Sequence, residues 1–198
     1  FSAETISIIN YGSYGRFEGA FYYSKGEVFP YNDYDIMIVV SAKVENSKIS
    51  ELKKTLNTKI SIQWLDISQI GVKELSSLPI SIFNYDLKYD SKVIYGNYDI
   101  LDNIPAFQSS MIPLKEIETL YFTRLWTLLG SFEVDAFSNG IKGESSRFFR
   151  YQLSKAVFAI IDVLLIQNGN YHHLYKMRVI KLKNLFPGDN NLNKLCEW

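Results

Sequence analysis

The apolar pattern of this chain changes period near residue 105, and that change constrains its fold more than any other feature. Before it, short β-branched runs are separated by turns. "TISIIN" (5–10) and "DIMIVV" (35–40) read as buried strands, and "KISIQWLDI" (59–67) as a third. Between the last two, "NSKISELKKTLN" (46–57) carries Ile49, Leu52 and Leu56 at helical spacing, with Asn46 or Ser47 as the cap. "VKELSSLPISIFNYDL" (72–87) reads as part helix, interrupted at Pro79, and "SKVIYG" (91–96) as a short strand closed by Gly96. From Pro113 the spacing is helical. Leu114, Ile117, Leu120, Leu125 and Leu128 predict a helix over 113–132. Phe149, Leu153, Val157, Ile160, Ile161 and Leu164 predict a second over 145–169, ended by Gly169. A third is expected over 171–186, stopped by "PGDNN". An α/β half therefore precedes an all-helical half. The boundary falls within "DNIPAFQSS" (102–110), dividing residues 1–104 from 105–198.

Composition narrows the class. Hydrophobic residues are 47% of the 198 and aromatics 15%, enough to fill a core and exclude disorder. Twenty-one basic residues balance twenty-one acidic ones, which gives no support to a broad nucleic-acid surface and leaves room for a small basic pocket. The single cysteine, Cys196, excludes a disulfide framework and a cysteine-based zinc site, and fits a reducing, cytoplasmic setting. No apolar run reaches the roughly 18 residues of a membrane span. The longest, "AVFAIIDVLLI", contains Asp162. Phe1 is not an initiator methionine, so the natural chain is expected to begin upstream, and a signal peptide cannot be judged. No closing helix is visible in "NLNKLCEW", so the chain is expected to continue.

Three short stretches carry the chemistry. In "NDYD", Asp33 and Asp35 are two apart, so on a strand both carboxylates point to one face. Like charges at that range raise each other's pKa unless something positive lies between them. Hard oxygen ligands without nearby histidine or cysteine suit Mg²⁺ or Mn²⁺. The same four residues also read as a solvated turn. In "YGSYG", after the first strand, Gly12 and Gly15 permit close backbone approach. Ser13 offers a hydroxyl and an N–H to a phosphate oxygen, or the stretch is an ordinary loop. Asp66, in "WLDIS", is flanked by Leu65 and Ile67 near the end of the third expected strand. It is either a paired or metal-bound carboxylate, or the first polar residue after the strand.

Together, Gly12, Ser13, Asp33, Asp35 and Asp66 resemble the motif set of the nucleotidyltransferase superfamily that includes DNA polymerase beta. The extended "GSYGRFEG" with "NDYDIMIVV" is similar to the bacterial branch of small-molecule and uncharacterised nucleotidyltransferase-domain proteins. The resemblance spans residues 5 to 100 and implies a nucleotidyltransferase core with a small mixed sheet. One departure is the distance from Ser13 to Asp33, which places an insertion in "RFEGAFYYSKGEVFPY", expected over or beside the site. The resemblance implies two divalent ions, Mg²⁺ or Mn²⁺, held by Asp33, Asp35 and Asp66 against a nucleoside triphosphate. Asp66 would also accept the proton of the attacking hydroxyl. Gly12 and Ser13 would grip the terminal phosphates. Arg16 would steady the leaving pyrophosphate, or else form a salt bridge to Glu18 or another acid.

The helical half resembles the C-terminal helical domains of kanamycin nucleotidyltransferase and the related HEPN domains, through "RYQLSKAVFAIIDVLLIQNGNYHHLYKMR". His173, Leu174 and Tyr175 match the end of the ribonuclease motif of HEPN domains, but Asn168 stands where that motif has arginine, so RNA cleavage is not supported. Lys155, Tyr171 and Arg178 are expected either at the nucleotide cleft or, for the two cations, as solvated helix charges.

The resulting expectation is an enzyme that transfers a nucleoside monophosphate to a small-molecule or sugar hydroxyl and releases pyrophosphate. The alternatives are a protein-nucleotidylating, antitoxin-like enzyme and a non-catalytic nucleotide- or partner-binding module. Nucleic acid and membrane are not expected partners, and an oligomer is compatible.

Overall fold

The computed structural model describes residues 4–31, 33–59, 65–132, 140 and 143–195. The chain divides into two compact units, Phe1–Phe107 and Gln108–Trp198.

The first unit is built on a four-stranded mixed sheet. Strand β1 (Thr5–Tyr11) leads into one helical turn, α1 (Gly12–Gly15). A separate hairpin follows, β2 (Phe21–Ser24) and β3 (Glu27–Pro30), and then strand β4 (Tyr34–Val40). Helix α2 (Asn46–Lys59) connects to β5 (Leu65–Gly71). The short α3 (Val72–Leu75) and α4 (Ile82–Asp90) precede β6 (Lys92–Gly96). Strand order is β5-β4-β1-β6. β1 is antiparallel to β4 and β6, while β4 and β5 run parallel, as a helix-long crossover requires.

The sheet has a layer on each face, which is why its central strands are apolar throughout. One face buries Ile9, Met37, Val39 and Ile70 with Leu75 and Leu87 from α3 and α4. The other buries Ile38, Val40, Leu65 and Ile67 against Ile49 of α2. The helix broken at Pro79 restarts where the Ser81 hydroxyl accepts the Asn84 N–H at 3.0 Å, an N-cap.

The third strand is displaced from its expected span. It runs Leu65–Gly71, so Asp66 stands at its beginning rather than near its end. α2 continues to Lys59, and residues 60–64 of the expected strand lie outside the described residues. The insertion is a hairpin whose turn is Lys25-Gly26, both at positive φ (51° and 81°), the backbone that matches strand twist in a two-residue loop.

The second unit is helical: α5 (Lys115–Gly130), α6 (Gly143–Gln167), α7 (Tyr175–Leu185) and α8 (Asn190–Leu195). The short α8 corrects the expectation of no helix in "NLNKLCEW"; Cys196 lies outside the described residues. α6 buries Ala159, Ile161 and Leu165, and α7 buries Leu182. Among the described residues no helix is long and apolar enough to cross a membrane.

Candidate active site

Two ladders bring the candidate carboxylates into one row. Tyr11 is opposite Asp35 in the β1–β4 pairing, and Asp35 is opposite Asp66 in the β4–β5 pairing. Residues directly opposite share a face. Here it is the face that buries Met37, Val39 and Ile70 farther along the same strands. Asp35 is the second residue of β4, and Asp33 lies immediately before that strand rather than on it.

The glycine turn is fitted to this row. Gly12 has φ +67°, a conformation that L side chains rarely adopt, and a Cβ there would run into Asp35 Oδ2. The Asp35 carboxylate therefore rests directly against the first residue of α1. Gly15 is needed for a different reason: a Cβ would meet the Asn10 carbonyl oxygen of β1. Ser13 lies between the two, with its carbonyl accepting the Glu18 N–H at 2.9 Å. Because α1 is a helix start, its first N–H groups lack intrahelical partners.

Tyr11 belongs to the same row although no motif marks it. Burial first, and then Asp35, Asp66 and Asp33, hold its phenol above the ordinary 10, while a hydrogen bond with Ser68 pulls the other way. All three carboxylates thus act on one hydroxyl at the floor of the row. The Tyr11 ring meets Phe83 edge-on at 5.6 Å. The available signal was parity: Tyr11 is two residues after the buried Ile9, on the same face as the core.

Asp66 is turned toward Lys53 of α2, with Nζ at 3.4 Å from Oδ1 and both side chains well exposed. Among the described residues, no three His, Cys, Asp or Glu side chains stand close enough together to hold a metal ion. The row therefore offers a divalent cation the right donors, all hard oxygens on one face, without a closed three-carboxylate shell.

Of the two readings of Arg16, the ion pair is the one present. Its side chain is 7% exposed, with Nη1 at 3.3 Å from both Asp86 and Asp90 of α4, and Nε at 3.7 Å from Glu18. Burial pushes the Asp90 carboxyl up to about 6; Arg16 pulls it back and Asp86 adds to the rise. Arg16 thus anchors the end of α1 to α4.

The second unit contains the remaining candidates. Lys155 stands over the Tyr151 ring, Nζ at 4.3 Å from its centroid. Arg178 is a buried, paired cation rather than a solvated helix charge, and Tyr171 is buried beside it. Arg178 is 2% exposed, and its Nη1 donates to both Asp162 carboxylate oxygens at 3.0 and 3.2 Å. It also donates to the His172 and His173 carbonyls and stacks on Tyr171 and Tyr175. A carboxylate inside the apolar α6 demands such a partner, and Arg178 supplies it.

No family model and no curated protein matches the chain. Among solved structures, the chain is similar to the crystal structure of spectinomycin adenyltransferase AAD(9) from Enterococcus faecialis with ATP and spectinomycin. The TM-score is 0.53 and the identity 13%, over 98% of this chain and 82% of that one. At that identity the likeness establishes the fold: a nucleotidyltransferase fold with a small mixed sheet and a helical C-terminal region.

Proposed function

We propose that this chain transfers a nucleoside monophosphate from a nucleoside triphosphate to a hydroxyl of a small-molecule or sugar acceptor, releasing pyrophosphate. The observation that carries the reading is the row of Asp35 and Asp66 across paired strands, with Asp35 seated against Gly12. A solvated turn has no need of that fit. The adenyltransferase of similar fold was crystallised with ATP and spectinomycin, which supports a nucleotide and a small-molecule acceptor here.

In this reading Asp33, Asp35 and Asp66 would hold Mg²⁺ or Mn²⁺. When bound, the metal would neutralise the triphosphate and the charge that develops on the leaving oxygens. Gly12 and Ser13 direct amides and a hydroxyl at the terminal phosphates. Asp66 takes the proton of the attacking hydroxyl, and doing so requires it to leave Lys53. That exposed pair contributes little to stability, so releasing it costs little. Tyr11 and its Ser68 partner hold the floor of the row and keep water from the apolar face beneath it. Lys155 of the helical, HEPN-like unit contributes to nucleotide binding in this reading.

A second reading, a module that binds nucleotide without turnover, is favoured by the open carboxylate shell. One experiment separates the two. The protein is incubated with each labelled triphosphate, Mg²⁺ and a metabolite extract, and label transfer and pyrophosphate are followed. Transfer with pyrophosphate release supports the enzyme, and label on a protein band identifies a protein acceptor. A Mg²⁺-nucleotide thermal shift without pyrophosphate supports the binding module. In the enzyme case Asp35→Asn abolishes transfer. Its melting point without metal is equal to or above wild type, because one of the crowded charges is gone. With Mg²⁺-nucleotide at a hundredfold excess over Kd, wild type gains about 2.7 kcal/mol that the variant does not. Equal shifts and retained pyrophosphate release in the variant refute the site.

A further inference from the structure

Tyr11 reaches across the carboxylate row. It stands on β1 opposite Asp35, and Asp35 stands opposite Asp66 on β5. Its hydroxyl is hydrogen-bonded to Ser68. Ser68 is two residues after Asp66 on β5 and opposite Met37 of β4, so it shares their face. β1 and β5 are not neighbours, because β4 lies between them. Two strand spacings of about 4.8 Å therefore separate the partners. To make the bond, the Tyr11 side chain must lie along the sheet and cross β4 between Asp35 and Met37. Phe83 meets its ring edge-on at 5.6 Å, and the ring packs on the core that contains Ile9 and Met37.

Packing alone asks for a phenylalanine here. Tyr11 is half-buried against an apolar core, where a hydroxyl is costly unless it is bonded. What the hydroxyl adds is a tie to β5. That strand ends the order β5-β4-β1-β6, so its ladder is with β4 alone. Its later half has a further attachment on the opposite face. There Gln69 Oε1 accepts the Val44 N–H at 3.0 Å and Nε2 donates to the Val44 carbonyl at 2.7 Å. Its beginning carries Asp66, whose exposed pairing with Lys53 does little to fix it. On the carboxylate face the tie is the bond between Tyr11 and Ser68, two residues from Asp66.

We propose that Tyr11 is a positioning residue of the cation site: through Ser68 it fixes the beginning of β5, and with it the spacing of Asp66 from Asp35, so that the two carboxylates can receive one divalent cation. The inference rests on the transferase reading. Tyr11 is not a ligand in it and acts through Asp66. The carboxylate shell is open among the described residues, so the site depends on where an edge strand is held. Partners that orient ligating groups are worth about 10–100-fold in metal affinity.

The test is Mn²⁺ binding to the full chain, followed by the EPR signal of free Mn²⁺. It is run with α,β-methylene-ATP and no acceptor, so that no transfer takes place. Tyr11→Phe keeps the ring against Phe83 and removes the hydroxyl, and is expected to weaken Mn²⁺ binding about tenfold. Ser68→Ala breaks the same bond from the other side and is expected to do the same, with the double variant no weaker than either single one. In an Asp66→Asn background Tyr11→Phe is expected to change nothing further, because the carboxylate it positions is gone. Melting curves of each variant record any general loss of packing. An unchanged Mn²⁺ affinity in Tyr11→Phe, even with a lowered melting point, overturns the inference and leaves the cation site standing. So do effects of Tyr11→Phe and Asp66→Asn that multiply. No Mn²⁺ binding by wild type, or equal binding by Asp35→Asn, overturns the cation site and the inference with it. If Tyr11→Phe fails to fold, Ser68→Ala and its cycle with Asp66→Asn decide.

Discussion

Replacing Asp90 with Asn is expected to stabilise the protein above pH 6 and to change little near pH 4. Three acids, Glu18, Asp86 and Asp90, surround the single Arg16 guanidinium, and Asp90 is one more negative charge than that pocket can solvate. Its carboxyl titrates at about 6 in the folded chain against an ordinary 3.8. Between those two pH values the folded state holds a proton that the unfolded state has released. Stability therefore falls as pH rises through that window, and the contribution present below 3.8 is gone above 6. The gap from 3.8 to about 6, at about 1.4 kcal/mol per pH unit, is about 3 kcal/mol. Asparagine imitates the protonated acid: it keeps an oxygen for Arg16 Nη1 and removes the charge. The variant should thus gain on wild type by about 1–3 kcal/mol at pH 7.5, and by less than about 0.5 kcal/mol at pH 4. Urea unfolding of both proteins at the two pH values measures the difference. A variant that is less stable than wild type at pH 7.5 would show that the Asp90–Arg16 attraction outweighs burial, and the argument would fail.

Two further outcomes follow from contacts in the two units. Gly12→Ala combines a strained backbone with a methyl group driven into the Asp35 carboxylate, so it should cost about 1–3 kcal/mol and abolish pyrophosphate release; full activity in this variant would detach the glycine turn from the aspartate. Arg178→Ala strands the buried Asp162 and should cost about 3–5 kcal/mol in thermal or urea unfolding, with Arg178→Lys rescuing only part because one ammonium cannot also reach the His172 and His173 carbonyls; a loss below about 1 kcal/mol would place Asp162 in water.

Strands β1 and β4 were legible because long apolar runs between turn residues have few alternative structures. The crossover helix was legible from Ile49, Leu52 and Leu56. The third strand was displaced because its apolar alternation runs on through "LDISQIG", so two registers fitted the local pattern. Only pairing with β4, which sets Asp35 opposite Asp66, selects between them. The hairpin had a local signal, the Lys-Gly turn between aromatic runs, but the stretch was read by its distance between motifs rather than by its own pattern. Arg16 beside the glycine turn invited a phosphate role. The acids it pairs with on α4, Asp86 and Asp90, are some seventy positions away and invisible to local reading. Asp162 in an apolar helix announced the need for a cation, yet nothing nearby in the chain identified Arg178.

The feet of the β2–β3 hairpin bond each other, the Tyr31 N–H donating to the Ala20 carbonyl at 2.8 Å with the Tyr14 hydroxyl bridging the same two groups, and this makes the stretch between Ala20 and Tyr31 an exchangeable cassette. Its ends are fixed by backbone groups, a carbonyl and an N–H, which every non-proline residue carries. Hairpins of other lengths and other aromatic content can therefore be grafted there without redesigning the glycine turn or the aspartates. A library confined to those ten intervening residues would vary the hairpin alone and leave the four-stranded sheet as it is.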